Sequence, residues 1–315
     1  KPTEFTEKGQ PKITLNNLET VSSTAPSSIR NLAHWKMLET RAKTIEGWLT
    51  ALSSDGRVRG KVFTMGAVTG RMTHAEPNLA NIVANYKPYG KEFRSCWTVA
   101  NTDTHCLVGM DAKGLELRML AHYMKDEEFC NEVVNGDPHT FNQQAAGLPT
   151  REAAKTFIYA FLYGAGPAKI GSIINGSSTQ GKKLQEKFLH NVPKLGRLIG
   201  AVQGKARRGY IRGLDGRRLW IRQARAALNT LLQGGGSIVC KQWSIFLFDE
   251  IEKRHLDAKL VNTIHDEQQY EVRREDADEL IEIADSTMLK TGEFFDMRLP
   301  LNADATAGLT WAETH

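Results

Sequence analysis

Two apolar runs of strand type, Leu107-Val108-Gly109-Met110 and the stretch entering His265 from Leu260, each deliver an aspartate at their end, Asp111 and Asp266. More than a hundred residues of mainly helical pattern lie between them. Strands must hydrogen-bond to other strands, so this order implies a sheet assembled from non-contiguous segments with a helical insertion. The fold class that follows is α+β. Within the insertion, Thr150 can cap a helix running from Arg151, and Glu152 in its first turn complements the dipole. Arg151, Lys155, Tyr159 and Tyr163 recur every fourth residue as a polar stripe, and Ala154, Phe157, Ile158, Phe161 and Leu162 form an apolar one.

The rest of the chain reads around this frame. Ile29 to Leu49 keeps helical spacing between Pro26 and Gly56, with Arg30, Lys36, Arg41 and Lys43 giving one long helix a basic side. Residues 57–71 are short extended runs between glycines, and Arg94-Ser95-Cys96-Trp97 reads as strand. Leu115 to Tyr123 reads as helix, and residues 126–233 as mainly helical, with breaks at Gly136-Asp137-Pro138, Gly147-Leu148-Pro149 and Gly164-Ala165-Gly166-Pro167. Gly234-Gly235-Gly236 is expected to separate that region from a further helix, Ile238 to Lys253. Leu260 to Val272 is a hairpin bent at His265-Asp266-Glu267, and Ala277 to Thr291 is the last helix.

With 315 residues and 41% hydrophobic content, the chain can bury a large core and form two or more subdomains. A formal charge of +5 and a pI near 8.9 fit a polyanionic partner without demanding one. Cys96, Cys106, Cys130 and Cys240 show no Cys-x-x-Cys spacing, which speaks against zinc and for reduced thiols in a cytosol. No signal peptide is visible and no apolar run approaches membrane-spanning length, so the expected location is cytoplasmic, that of the host cell if the source is viral. Lys1 is no initiator Met and the first 25 residues are polar and aperiodic, as expected for a chain beginning inside a larger gene product, or for a processed or engineered piece.

Taken singly, each polar residue has an ordinary explanation. An aspartate after a strand caps the next helix, an aspartate in a bend makes a turn, and Glu116 would be a solvent-facing helical residue. In combination, two carboxylates can hold two divalent metals about 3.5–4 Å apart, and a basic helix can hold a triphosphate beside them. These blocks, Asp111 to Arg118, Arg151 to Gly164 and Ile264-His265-Asp266-Glu267, resemble in this order motifs A, B and C of family-A DNA polymerases, especially those of short-tailed phages. Thr69-Gly70-Arg71-Met72-Thr73-His74, Pro77 to Ile82, Leu214 to Arg218, Ala226 to Gln233 and the closing Trp311-Ala312-Glu313-Thr314-His315 also fit, so the resemblance covers nearly everything from residue 57 onward.

The resemblance implies a right-hand fold with an antiparallel palm sheet, helical fingers and a partial thumb. Its parts would be an N-terminal segment and thumb remnant (1–56), palm (57–123 and 234–315) and fingers (124–233). It implies template-directed DNA synthesis with two Mg²⁺ ions bound by Asp111, Asp266 and the carbonyl of Ala112, with Glu267 alongside and Lys155 among the catalytic groups. Arg151, Lys155, His139, Tyr159 and Tyr163 would meet the deoxynucleoside triphosphate, and Glu116 would block a ribose 2′-OH. Arg71, Arg225, Asn229, Gln233 and His265 would contact primer-template DNA, at a minor-groove edge that reports pairing geometry and little sequence.

Nothing in the chain matches the Asp-x-Glu metal site of an exonuclease, so proofreading is expected to be missing from it, whether or not a second chain provides it; a separate exonuclease chain or a processivity factor is an open further partner, and no membrane is expected. Lys113 replaces the family's usual Ser, which could alter nucleotide affinity, and Gln268-Gln269 replace an apolar pair, implying a strand that is less buried or packed against something polar. Two readings compete: a single-subunit RNA polymerase, opposed by Glu116, Glu267 and the lack of a promoter-binding region, and an accessory DNA-binding subunit of a split polymerase, which would need no paired carboxylates.

Overall fold

The computed structural model describes residues 9–10 and 25–314. Its contacts divide the chain into two units, residues 1–61 with 74–78, and residues 62–73 with 79–315.

In the first unit, helix α1 (Ser27–Thr50) follows Pro26. Its only buried residues are Met37 and Trp48, while Trp35 and Leu49 are more than half exposed. Lys36 and Lys43 both reach Glu39, at 2.6 and 2.8 Å, through i,i+3 and i,i+4 spacing. A turn then brings Leu52 opposite Val58, with Arg59 paired to Asp55 at 2.6 Å.

Two short strands follow, β1 (Lys61–Phe63) and β2 (Thr73–Ala75). The second unit continues with α2 (Gly90–Ser95), β3 (His105–Ala112) and α3 (Leu115–Met124). Residues 94–97 are thus not a strand: Arg94 and Ser95 end α2, and the arginine is buried there with its Nε donating to the Val83 carbonyl. Side-chain burial overrode the extended propensity of the run.

The helical insertion comprises α4 (Glu127–Asn135), α5 (Pro138–Ala146), α6 (Arg151–Leu162), α7 (Pro167–Ile173), α8 (Ser178–Asn191) and α9 (Pro193–Ala206). Thr150 caps α6 as expected, its hydroxyl accepting from Ala153 N–H at 3.1 Å. Ala154, Phe157, Ile158 and Leu162 are buried, with Phe157, Phe161 and Phe188 packed edge to face. A small hairpin, β4 (Tyr210–Arg212) and β5 (Arg218–Trp220), interrupts the helices.

The long helix α10 (Ala227–Arg254) runs straight through Gly234-Gly235-Gly236, against the expectation of a break. A Cβ on Gly234 would lie 2.7 Å from Leu219, one on Gly235 2.4 Å from Met119, and one on Gly236 3.2 Å from Leu115. The glycines therefore let α3 and β5 approach the backbone of α10, and burial offsets the roughly 1 kcal/mol that each glycine costs in a helix. This contact sets Glu116 of α3 near Gln233 of α10, both on one cavity wall.

The main sheet, ordered β6-β7-β3-β8, is antiparallel throughout and adds β6 (Ala258–Ile264), β7 (Glu267–Arg273) and β8 (Ala303–Gly308), with α11 (Ala277–Phe294) before the last strand. Sequence reading did not find β8, whose Ala-Asp-Ala-Thr-Ala-Gly has almost no strand propensity. Val108, Met110, Tyr270 and Val272 face a core shared with α10 and α11, where the Trp243 indole N–H reaches the Ala284 carbonyl at 3.0 Å. Gln268 and Gln269 are almost fully buried, and their partners are polar: Tyr270 Oη donates to Gln268, and the Thr314 hydroxyl to Gln269. No helix among the described residues is long and apolar enough to cross a membrane.

Candidate active site

Strand β3 carries Asp111 and Ala112 to its C-terminal end, where β7 is its neighbour. The β6–β7 connection supplies His265 and Asp266. His265 sits at φ +58°, in the left-handed region that histidine tolerates better than most residues. That bend points the Asp266 carbonyl at β3, where it accepts from Ala112 N–H at 3.0 Å. The two aspartate segments are thereby joined by backbone, which fixes their separation independently of side-chain rotamers. Behind the turn, buried Arg118 donates Nε–H to the Lys113 carbonyl at 2.8 Å and a second N–H to the Pro300 carbonyl, pinning the bend from strand to α3.

Asp111, Ala112 and Asp266 line a cavity of about 330 Å³, together with Glu116, Tyr159, Tyr163, Arg71, Gln233 and His265. Asp111 comes from β3, Asp266 from the β6–β7 turn, Glu116 from α3, Tyr159 from α6, Tyr163 from the residue that ends it and Gln233 from α10. Tyr163 donates its hydroxyl to Glu116 Oε2 at 2.9 Å, tying the insertion to the sheet side. The other Glu116 oxygen is buried without a hydrogen-bond partner among the described residues. Burial raises the Glu116 carboxyl above its ordinary value, opposed by the Tyr163 bond and by Arg71. Burial and the nearby carboxylates likewise raise the Tyr159 and Tyr163 phenols, keeping them proton donors at neutral pH.

Other expected site residues lie outside the cavity lining. Arg151 and Lys155 occupy the N-terminal half of α6, so at 1.5 Å per residue Arg151 lies roughly 12 Å along the axis from Tyr159. Arg151 makes a two-pronged bond with Asp137, at 2.6 and 3.1 Å, and Asp137 also caps α5. His139 packs against Tyr159 with ring centroids 6.2 Å apart, and burial lowers its pKa. Arg225 is exposed and held by Gln223, while Asn229 keeps a buried carbonyl oxygen with no partner among the described residues.

Glu267 stands directly across the ladder from Asp111, yet its carboxylate does not line the cavity. It is buried, and one oxygen accepts from Gln269 at 2.8 Å and from the Trp311 indole N–H. Arg94 stacks on that indole, 4.6 Å from its centroid. Lys113, the unusual cation of this segment, is drawn to Asp304 at 3.3 Å, an exposed pair worth at most about 1 kcal/mol. Neither the Tyr163–Glu116 bond nor the Trp311–Glu267 bond left a sequence signal, because each joins residues remote in the chain.

The family model described as DNA polymerase family A matches residues 1–313. The DNA-directed DNA polymerase of Enterobacteria phage T3 is 39% identical over a 352-residue alignment, and that of Escherichia phage T7 is 38% identical. Each alignment covers 100% of this chain and 50% of the relative, so the chain spans about half the length of these curated relatives. DNA polymerase I of Aquifex aeolicus is 28% identical over 82% of the chain and 47% of its own length. In fold, the chain superposes on the POL domain of Pol1 from M. smegmatis, solved with DNA primer-template and dNTP, with a TM-score of 0.88 at 24% identity, covering 100% of this chain and 58% of that one. The α+β, right-hand architecture expected from the sequence is thus the observed one, and the chain belongs to DNA polymerase family A.

Proposed function

We propose that this chain is the polymerising part of a DNA polymerase, extending a primer 3′-OH on a DNA template with deoxynucleoside triphosphates and releasing pyrophosphate. One observation carries the reading: Asp111 at the end of β3 and Asp266 in the β6–β7 turn meet on a cavity whose other walls are Tyr159, Tyr163 and the polar residues Glu116, Arg71 and Gln233. Family membership and the relatives' names give the same reaction class.

Among the described residues no group of three His, Cys, Asp or Glu side chains could hold a metal by side chains alone. The donors present are two carboxylates and the Ala112 carbonyl, a hard-oxygen set. They fit Mg²⁺, which keeps waters and substrate phosphates in its shell and needs only one or two carboxylates. When bound, two such ions would lower the pKa of the attacking hydroxyl and stabilise charge on the leaving oxygen. The chain's own residues orient the reactants. Tyr159 and Tyr163 offer rings and hydroxyls to the incoming nucleotide, and Glu116, fixed by Tyr163, fills the space a ribose 2′-OH would need. Arg151, oriented by its two bonds to Asp137, and Lys155 continue that wall as cations for the triphosphate, with His139 packed against Tyr159. Arg71, Gln233 and His265, with Asn229 and Arg225 further along α10 and its approach, face the primer-template. Glu267 positions the β6–β7 turn through Trp311.

The palm would be residues 57–123 and 234–315, the fingers 124–233, and residues 1–56 the thumb remnant. Trimming of a mispaired 3′ end would need residues outside this chain, whether a separate exonuclease polypeptide or other sequence, and a processivity factor could join it. Primer extension by the purified chain with Mg²⁺ tests the proposal. Incorporation of the templated deoxynucleotide, with ribonucleotides used poorly, is expected; no incorporation, or equal use of ribonucleotides, would refute it. Binding of primer-template without any incorporation would favour the accessory-subunit reading.

A further inference from the structure

Four polar residues of α10, Asn229, Gln233, Ser237 and Lys241, recur every fourth position and share one slowly turning stripe of the helix. The first two are proposed to face the primer-template. The other two hold a loop. The Lys241 ammonium donates to the Thr64 carbonyl at 2.6 Å and to the Gly70 carbonyl at 2.8 Å, and meets the Met65 sulfur at 3.2 Å. These partners use all three of its donors. Ser237 lies beneath Gly70, where a Cβ would come within 3.6 Å of its hydroxyl and 3.1 Å of Arg217, whose guanidinium is paired with Asp215 at 2.6 Å.

The loop held in this way leads directly into Arg71. Its turn is closed by Gly70 N–H donating to the Ala67 carbonyl at 2.9 Å and Ala67 N–H to the Arg71 carbonyl at 3.2 Å, with Gly70 at φ +79°. Phe63, Met65 and Val68 around it are exposed, so apolar burial does little to fix its position. Burial and the neighbouring Arg217 lower the Lys241 pKa, so charge opposes its placement and the carbonyls hold it there. Arg71 lines the carboxylate cavity with Gln233 and Glu116, and also a recess of about 20 Å³ with Lys241 and His265. Gln233 and Lys241 are about 12 Å apart along the helix axis, so one rigid element carries a DNA-facing side chain and the anchor of another.

We propose that Lys241 is a positioning residue: it holds the turn before Arg71 so that Arg71 keeps a fixed register with Gln233 and Asn229, and the three test the terminal base pair as one set. The inference rests on the polymerase reading, which supplies the primer-template. A direct bond from Lys241 to a DNA phosphate is the competing role, disfavoured because its donors are already engaged. Minor-groove acceptors occupy equivalent places in either order of a correct pair, so losing the register lowers use of matched ends more than of mismatched ones.

Extension of matched and mismatched primer ends tests this in the parent chain, in Lys241→Met, Lys241→Arg and Arg71→Ala, and in the double variant Arg71→Ala, Lys241→Met. Methionine keeps the length of the side chain and removes the donors. The ratio of kcat/KM for matched over mismatched ends is expected to fall roughly tenfold in Lys241→Met, the worth of one hydrogen bond from a charged group. Lys241→Arg, which still donates to both carbonyls, should stay within about threefold of the parent. In the Arg71→Ala background Lys241→Met should change the ratio no further. Gly70→Ala, which strains the same turn and leaves the cation in place, should also lower the ratio and guards against a folding defect in Lys241→Met. An unchanged ratio in both Lys241→Met and Gly70→Ala would overturn the inference. So would a loss from Lys241→Met that is equally large without the Arg71 side chain, because Lys241 would then act on the DNA itself. A parent chain that extends neither end overturns the polymerase reading and this inference with it, whereas an active parent whose ratio neither variant moves overturns this inference alone.

Discussion

Glu267→Ala should destabilise the chain far more than Glu267→Gln, because two buried donors converge on a single carboxylate oxygen. Gln269 Nε2 reaches Oε1 at 2.8 Å, and the Trp311 indole N–H points to the same atom. Glu267 itself is 5% exposed, so water does not replace the lost acceptor. Leaving a buried donor unpaired costs about 1–3 kcal/mol, which puts the alanine variant at about 2–6 kcal/mol for the pair. An amide oxygen in the same place can accept both bonds. The glutamine variant loses only the charge assistance and the attraction of nearby Arg94, about 1–2 kcal/mol. Urea denaturation followed by tryptophan fluorescence measures both, and Trp311 is itself a reporter of the site. If the two variants agreed within about 0.5 kcal/mol, the acceptor role of Glu267 would be wrong. Activity adds a second readout. Asp266 precedes this anchor directly, so the alanine variant should also incorporate nucleotide more slowly, while Trp311→Phe should reproduce part of that loss.

Glu116→Ala opens the space beside the sugar and should admit ribonucleotides more readily; an unchanged ratio of deoxy- to ribonucleotide efficiency would remove Glu116 from that role. Glu116 also predicts a pH dependence of stability. Because its carboxyl is raised above 4.5 by burial, the folded chain binds that proton at a pH where the unfolded chain has released it. The charged group therefore costs stability at neutral pH, and the cost fades as pH falls from the raised value toward 4.5. Glu116→Gln should accordingly be the more stable protein at pH 7 and lose that advantage near pH 4, as thermal melts would show. Tyr159 bears on dideoxynucleotides: its hydroxyl can replace the hydrogen bond of a missing 3′-OH, worth roughly 1 kcal/mol or about fivefold. Chain-termination ladders should show little discrimination by the parent chain and several-fold more by Tyr159→Phe, and equal ladders would mean that Tyr159 does not face the sugar.

What could be read in the sequence was whatever repeats locally. The strand into Asp111, the hairpin bent at His265, the Thr150 cap and the two stripes of α6 all carry their own period or turn chemistry, and each is present. The misses were long-range. Three glycines in a row signal a break in sequence, and only the contacts of Leu219, Met119 and Leu115 against them explain why α10 runs through. Strand β8 is made of small residues and exists because β3 offers an edge. The propensity of Arg94 to Trp97 is for strand, but Arg94 is buried at the end of α2, where its Nε–H donates to the Val83 carbonyl across the chain. For the site, sequence named residues without arranging them. Only the fold shows Asp111, Asp266, Glu116 and the two tyrosines on one cavity, with Arg151 and Lys155 further along α6 and Glu267 turned to Trp311.

Single-turnover incorporation by Asp111→Asn, on primer-template and with saturating Mg²⁺, tests the two-carboxylate account most directly. The amide keeps the shape of the side chain and removes a charge that the metals require, while the polar and basic residues that meet DNA are untouched. The expected result is incorporation lowered by about a thousandfold or more, equivalent to roughly 4 kcal/mol, with primer-template affinity close to that of the parent chain. Incorporation near the parent rate would contradict the account, because Asp111 would then not hold the metals on which the proposed reaction depends.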